Sequence, residues 1–315
     1  MSHKIKNFIT GVSALELTAE ERAFISDHQP IGFILFKRNC DNPEQMKQLT
    51  ASLNQLCHGY APLIMIDQEG GRVSRLPEKY FEKTPSMAAL TALKDAQHAY
   101  TDVYNNYLKI AKTLKSLGIN VDCAPVADLH IEGAHSVIGD RSFGSDPESV
   151  AHLSEAVCSA LANEGVQSII KHIPGHGRSL CDSHFSLPRV SSLLETLEAT
   201  DFKVFRSLST QKMAMTAHIV YEALDSQRCA TTSPTVIYYI RNEIGFKGII
   251  LTDDLSMEAL AGSIKERADD SLKAGCDILL HCNGKMDEMM QVAEAAIAIS
   301  DELMDKINHL DCFHP

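Results

Sequence analysis

Residues 245–254 read Gly245-Phe246-Lys247-Gly248-Ile249-Ile250-Leu251-Thr252-Asp253-Asp254. A glycine past a helical pattern ends a helix, a short apolar β-branched run follows, and two carboxylates stand where that run stops. The same order recurs along the chain. Strands are expected at Ile5–Gly11, Ile31–Phe36, Pro62–Ile66, Ile119–Ala124, Val166–Ile170, Met213–Ala217, Gly248–Thr252 and Cys276–Leu280. Between them lie helical patterns with start signals: a capping box at Thr18-Ala19-Glu20-Glu21, and an N-cap before proline at Asp146-Pro147 and Ser233-Pro234. Gly165 and Gly275, like Gly245, follow helical stretches and precede strands. Eight successive βα units with strands apolar on both faces close most simply into a barrel, so the expected fold is α/β, a single-domain (β/α)8 TIM barrel over residues 1–315. The alternative is an open doubly wound sheet, but no G-x-G-x-x-G follows the first strand.

Composition agrees with a globular enzyme-sized chain. The 315 residues are 44% hydrophobic and 22% charged, which excludes disorder, collagen and coiled coil. With 29 basic against 41 acidic residues the formal charge is −12, so the mean field repels a phosphate backbone and no nucleic-acid partner is expected. Apolar runs fall far short of the roughly 18 residues of a membrane helix, and Met1–Thr10 lacks the apolar stretch of a secretory signal. A cytoplasmic protein with no membrane partner is expected. The nine cysteines are scattered without a C-x-x-C pair, and read as free thiols used in packing.

In barrels, chemistry sits at the C-terminal ends of the strands. Asp67 follows Leu63–Ile66, Lys171 and His172 follow Ile169-Ile170, His218 follows Thr216-Ala217, and Asp253 follows Ile249–Thr252. Each alone is explained by a polar strand cap; together they direct charge at one mouth. Gly70-Gly71 permits a tight turn that folds Arg72 or Arg75 back over Asp67. Two long connections, Arg72–Thr91 and His130–Asp146, are expected to be functional loops.

The stretch Lys171-His172-Ile173-Pro174-Gly175-His176-Gly177-Arg178-Ser179-Leu180-Cys181-Asp182-Ser183-His184 places three histidines in a loop bearing proline and glycine. Four readings stand. His172 and His176 are spaced for a metal, though Pro174 and Gly175 prevent the helix that would align them. Lys171 at a strand end has the place of a Schiff-base lysine, which needs a lowered pKa. The histidines bond backbone carbonyls in a stiff loop. Or His184 is a general acid/base whose tautomer is fixed by Asp182, with Asp253 as the opposing carboxylate nucleophile of a glycosidase.

The patterns around 166–188 and Gly248–Met257 closely resemble those of family 3 glycoside hydrolases, specifically bacterial β-N-acetylglucosaminidases reading K-H-[FI]-P-G-H-G-x4-D-S-H and [ST]-D-D-L-x-M. The likeness extends to Ile31–Asn39, Asp67–Val73, Gly139–Phe143 and His218–Tyr221, most of the chain. The resemblance implies a cytoplasmic, monomeric, cofactor-free and metal-free barrel that removes terminal N-acetylglucosamine from anhydro-muropeptides in cell-wall recycling. It implies Asp253 as nucleophile, His184 as proton donor and acceptor, and Asp182 as its orienting partner. Asp67, Arg75, Arg141, Lys171 and His172 would contact the sugar. Arg72 has two readings, substrate contact or a salt bridge near Glu69; His176 would shape the loop, His218 line the pocket, and Asp254 hold structure. A retaining double displacement through a glycosyl-aspartate follows, with a His184 loop expected to close over bound sugar. An acid/base imidazole leaves less negative charge beside the intermediate than a glutamate, so phosphorolysis stays open. The other readings are a β-glucosidase or broader exo-glycosidase, and an idle sugar-binding barrel.

Overall fold

The structure is a computed structural model and describes residues 4–92, 95–181 and 187–313. Six parallel strands form one arc: β1 (Lys6–Gly11), β2 (Pro30–Leu35), β3 (Leu63–Ile66), β4 (Val121–Asp122) and β5 (Gln167–Ser168) in sequence, with β11 (Leu279–His281) on the far side of β1. A second arc orders β6 (Ile170–Ile173), β8 (Met213–Thr216) and β10 (Ile249–Leu251), also parallel. The arcs meet twice. β5 runs into β6 across Ile169, and β10 touches the segment before β11 at a Leu251–Ile278 bridge. The result is the (β/α)8 barrel, with a small pair, β7 (Arg189–Val190) and β9 (Val220–Tyr221), outside it.

Alternation along the strands explains both cores. Ile9, Leu63, Met65, Met213, Met215, Ile249 and Leu251 pack together in the barrel interior, while Phe8, Ile64, Ile66, Ala214 and Ile250 pack outward against the helices. The helix Asp301–Asn308 adds Leu303 and Ile307 to the interior cluster. Asp311, just beyond it, pairs with Lys212 ahead of β8 and donates its backbone N–H to the side-chain Oε1 of Gln167 in β5, so this helix and the turn after it cover the N-terminal mouth. The opposite mouth is left for chemistry.

The expected start signals hold. Thr18 and Glu21 form a reciprocal capping box, Asp146 and Ser233 cap helices with proline in the first turn, and Gly245 and Gly275 take the left-handed conformation at helix ends. The strand limit that matters for the mouth moved at the fifth unit. The expected strand Val166–Ile170 extends through Ile173, so Lys171 and His172 lie in the sheet rather than after it. Buried charge is tolerated there because each side chain meets a carboxylate, as described next. All nine cysteines are free thiols.

Candidate active site

At the C-terminal mouth, β3, β6 and β10 deliver Asp67, the Lys171-His172 pair and Asp253 to one cavity of about 380 Å³. That volume suits one small-molecule unit. Gly70 and Gly71 have φ of +92° and +56°, which turns the chain so that Arg75 Nη2 donates to Asp67 at 3.0 Å. Lys171 Nζ sits between Asp67 at 2.9 Å and Glu69 at 2.6 Å, with the lysine side chain 3% exposed. Arg141 completes the group, donating from Nε and Nη2 to the two oxygens of Glu69, each at 2.8 Å. Burial opposes the charges of Asp67, Glu69, Arg141 and Lys171, but mutual attraction outweighs it. Asp67 is held well below the usual carboxylate range by Lys171 and Arg75, and Glu69 is brought down to about 2 by Arg141 and Lys171. Lys171 is held above its ordinary value by Asp67 and Glu69 despite burial, the reverse of what a Schiff-base lysine needs.

His172 is fixed from behind. Its Nδ1 lies 2.7 Å from Asp128 Oδ2, and because a carboxylate only accepts, Nδ1 carries the proton and Nε2 is the ring atom left for the cavity. Asp128 Oδ1 also accepts the backbone N–H groups of His172 and His176, so one buried carboxylate sets this turn. The His176 ring packs edge-on to His172 at 5.3 Å between centroids, and both line the cavity. Burial and the neighbouring His172 lower His176 to about 4, which keeps it neutral at ordinary pH. The two rings are therefore parts of an acid-supported turn. Among the described residues no group of three or more His, Cys, Asp or Glu is placed to hold a metal.

Asp253 Oδ1 accepts the backbone N–H of Asp254 at 2.8 Å, and its own N–H donates to Thr216 Oγ1 at 3.2 Å. Burial raises its pKa, but the charges of His218 and His172 outweigh burial and leave it below the ordinary value, an ionised carboxylate on the cavity wall. His218 is fully buried and does not line the cavity, which corrects the expectation for it. Its Nε2 donates to the Asp254 carbonyl at 3.0 Å and its Nδ1 lies 2.7 Å from Thr231 Oγ1, so it acts on the site through Asp253's field. Burial works against its charge, but Cys229 and Asp253 raise it to about 9. Asp254 is structural, accepting from Ser256 N, Ser256 Oγ and Cys282 N.

Arg72 does not pair with Glu69, whose oxygens are taken by Arg141 and Lys171. It bridges Asp140 at 2.8 Å and donates to the carbonyls of Ser136, Val137 and Ile138, tying the two long connections together at the cavity rim. Both connections line the cavity, the first with Arg72, Val73 and Arg75 and the second with His135–Ile138 and Arg141. Phe36 forms an apolar wall under Arg75, whose Cζ lies 5.1 Å from the ring centroid. Asp182 and His184 lie outside the described residues. Glu69 and Asp128 were not singled out from sequence. Glu69 sat inside the Asp67–Val73 motif without a role, and Asp128 lies four residues past its expected strand end, where strand-end inspection does not look.

Comparison with known proteins agrees with this geometry. The family model "Glycosyl hydrolase family 3 N terminal domain" matches residues 2–311. A curated β-hexosaminidase of Neisseria gonorrhoeae (strain NCCP11945) is 42% identical over 279 residues, covering 86% of this chain and 76% of that protein. The crystal structure of native NagZ from Neisseria gonorrhoeae superposes with a TM-score of 0.88 at 38% identity, over 98% of this chain and 90% of that one. The NagZ complex with N-trifluoroacetyl-D-glucosamine gives 0.87 at 36% identity, over 97% of this chain and 89% of that one.

Proposed function

The chain belongs to glycosyl hydrolase family 3 and is a glycoside hydrolase of the β-N-acetylhexosaminidase type, and from that premise we propose how its residues divide the work. The reaction is exo-acting removal of a terminal β-linked N-acetylglucosamine with retention. Asp253 attacks the anomeric carbon as the aglycone leaves, forming a glycosyl-aspartate; water then attacks the same carbon and frees Asp253. His184 protonates the departing oxygen and later takes the proton from water, with Asp182 fixing its tautomer. These two roles rest on the Asp182-Ser183-His184 motif.

The carrying observation is an ionised Asp253 in a monosaccharide-sized cavity also lined by Asp67, Arg141, Lys171 and His172. Arg75, on the same cavity, has a buried Nε with no acceptor among the described residues, a donor suited to a sugar oxygen. The opposed charges of Lys171, Asp67 and Glu69 hold these groups in place before substrate arrives, which is the preorganisation that glycosyl transfer requires. The biological setting we propose is cell-wall recycling, with muropeptides as the small-molecule substrate, in a cytoplasmic, monomeric, single-domain protein. No described helix is long and apolar enough to cross a membrane.

The test compares an aryl β-N-acetylglucosaminide with the matching β-glucoside, in the presence and absence of inorganic phosphate. Release from the first alone, with no sugar phosphate formed, is the expected result. Preferred release from the glucoside would make the chain a β-glucosidase, and a sugar phosphate product would make it a phosphorylase.

A further inference from the structure

The turn that carries Arg75 back to Asp67 begins as a tight antiparallel pair. Gly70 N–H donates to Val73 O at 3.1 Å and Val73 N–H to Gly70 O at 3.2 Å. In a regular ladder the next hydrogen-bonded pair outward would be Gln68 with Arg75, each backbone bonding the other. That pair does not form. Gln68 N–H donates to Asp122 Oδ1 of β4 at 3.0 Å, and Arg75 N–H donates to the side-chain Oε1 of Gln68, also at 3.0 Å. The same oxygen accepts Leu76 N–H at 3.3 Å, and Gln68 Nε2 donates to Ser74 Oγ at 2.8 Å. One buried amide thus takes the place of a strand partner for residues 74–76. Held by a side chain instead of a ladder, this limb lets the Arg75 guanidinium turn onto Asp67 at 3.0 Å.

The residue type follows from the surroundings. Gln68 stands between Asp67 and Glu69 in the chain and meets Asp122 through its backbone, so an ionised carboxylate here would add to three others. An amide accepts two N–H groups without charge and still has a donor for Ser74. Gln68 does not line the catalytic cavity, whereas Arg75 does, with a buried Nε that has no acceptor among the described residues. We propose that Gln68 is a positioning residue for sugar binding: its amide sets the backbone of Arg75 and, through it, the guanidinium donors presented to the cavity. The proposal deepens the reading of Arg75 as a sugar contact and rests on it.

The experiment is a double-mutant cycle on the full chain. KM and kcat are measured on an aryl β-N-acetylglucosaminide for the wild type, Gln68→Met, Arg75→Met and the double variant. Methionine matches the length of glutamine but offers no amide. Gln68→Met is expected to raise KM about tenfold and to change kcat less than about threefold, because a displaced donor weakens binding. A loss of folded protein alone would lower the apparent kcat and leave KM where it was. In the Arg75→Met background the Gln68 change is expected to move KM by less than about twofold, since the group it positions is gone. KM effects that multiply in the double variant, or a wild-type KM in Gln68→Met, overturn the proposal and leave Arg75 as a sugar contact. A wild-type KM in Arg75→Met overturns that reading and the proposal with it. Gln68→Asn, whose amide stops one methylene short, carries the same expectations and replaces methionine in the cycle where Gln68→Met does not fold. Gln68→Glu is the rescue. At about pH 5 its acid is kept neutral by Asp67 and Glu69 and presents the same acceptor and donor, so KM should return to within about twofold of the wild type. A KM still raised about tenfold in that variant would overturn the proposal.

Discussion

Replacing Lys171 with methionine tests the buried charge group that shapes the sugar site. Lys171 is 3% exposed and lies within 3 Å of both Asp67 and Glu69, whose side chains are 13% and 1% exposed. Methionine fills the space but leaves two buried carboxylates with only Arg75 and Arg141, and removing one partner of a buried pair costs about 3–5 kcal/mol. For a chain of this size that is a fall of about 5–15 °C in Tm. The pH dependence carries the sharper prediction. In the wild type both carboxylates have depressed pKa values, so their contribution is present above about pH 4, the unfolded value, and is lost as pH falls through the folded values. Without Lys171, burial pushes both upward, and protonation at low pH relieves the unpaired charge. The gap in Tm between wild type and Lys171→Met should therefore be widest near about pH 7 and narrow by about pH 4.5, read by circular dichroism on heating. A gap that is constant with pH, or below about 2 °C at neutrality, would show that Lys171 does not neutralise these two carboxylates.

Glu69→Gln removes the chelate on Arg141 and half the support of Lys171, and should lower kcat/KM by about tenfold to a hundredfold, mostly through KM; an unchanged KM would detach Arg141 from sugar binding. Asp128→Asn should cost a similar factor, because an amide can present its N–H to His172 Nδ1 and invert the tautomer; steady-state kinetics at wild-type levels would show that the pair only packs. Asp122, buried with Oδ2 unpartnered, is pushed up by burial to about 7, so stability is lost as pH rises from its unfolded value near 4 to about 7. Asp122→Asn should therefore gain in Tm over the wild type across that interval and hold the gain above it; parallel Tm curves would place the carboxyl in water.

The barrel was legible because the interior and the helix-facing core demand opposite faces of the same short strands, and Leu63–Ile66 and Ile249–Leu251 satisfy both with uninterrupted apolar residues. Lys171 and His172 were less legible. Polarity ends a strand unless partners are supplied, and here the partners, Asp67, Glu69 and Asp128, lie 44 to 104 residues away in the chain. Spacing cannot reveal such long-range charge matching. His218 failed for a related reason: its position at a strand end matched that of Asp253, but bonds to Thr231 and the Asp254 carbonyl turned it inward. Where the partner is local the turn itself was legible: of the two arginines that Gly70-Gly71 could fold over Asp67, Arg75 is the one that meets it, and Arg72 turns to Asp140 instead.

In the proposed mechanism Asp253 forms the bond to sugar. Incubation with a fluorinated N-acetylglucosaminyl donor that slows deglycosylation, followed by digestion and mass spectrometry, reads this directly. The predicted result is one sugar mass on the peptide containing Asp253, absent from Asp253→Ala. An adduct on another carboxylate, or rapid turnover by Asp253→Ala, would contradict it.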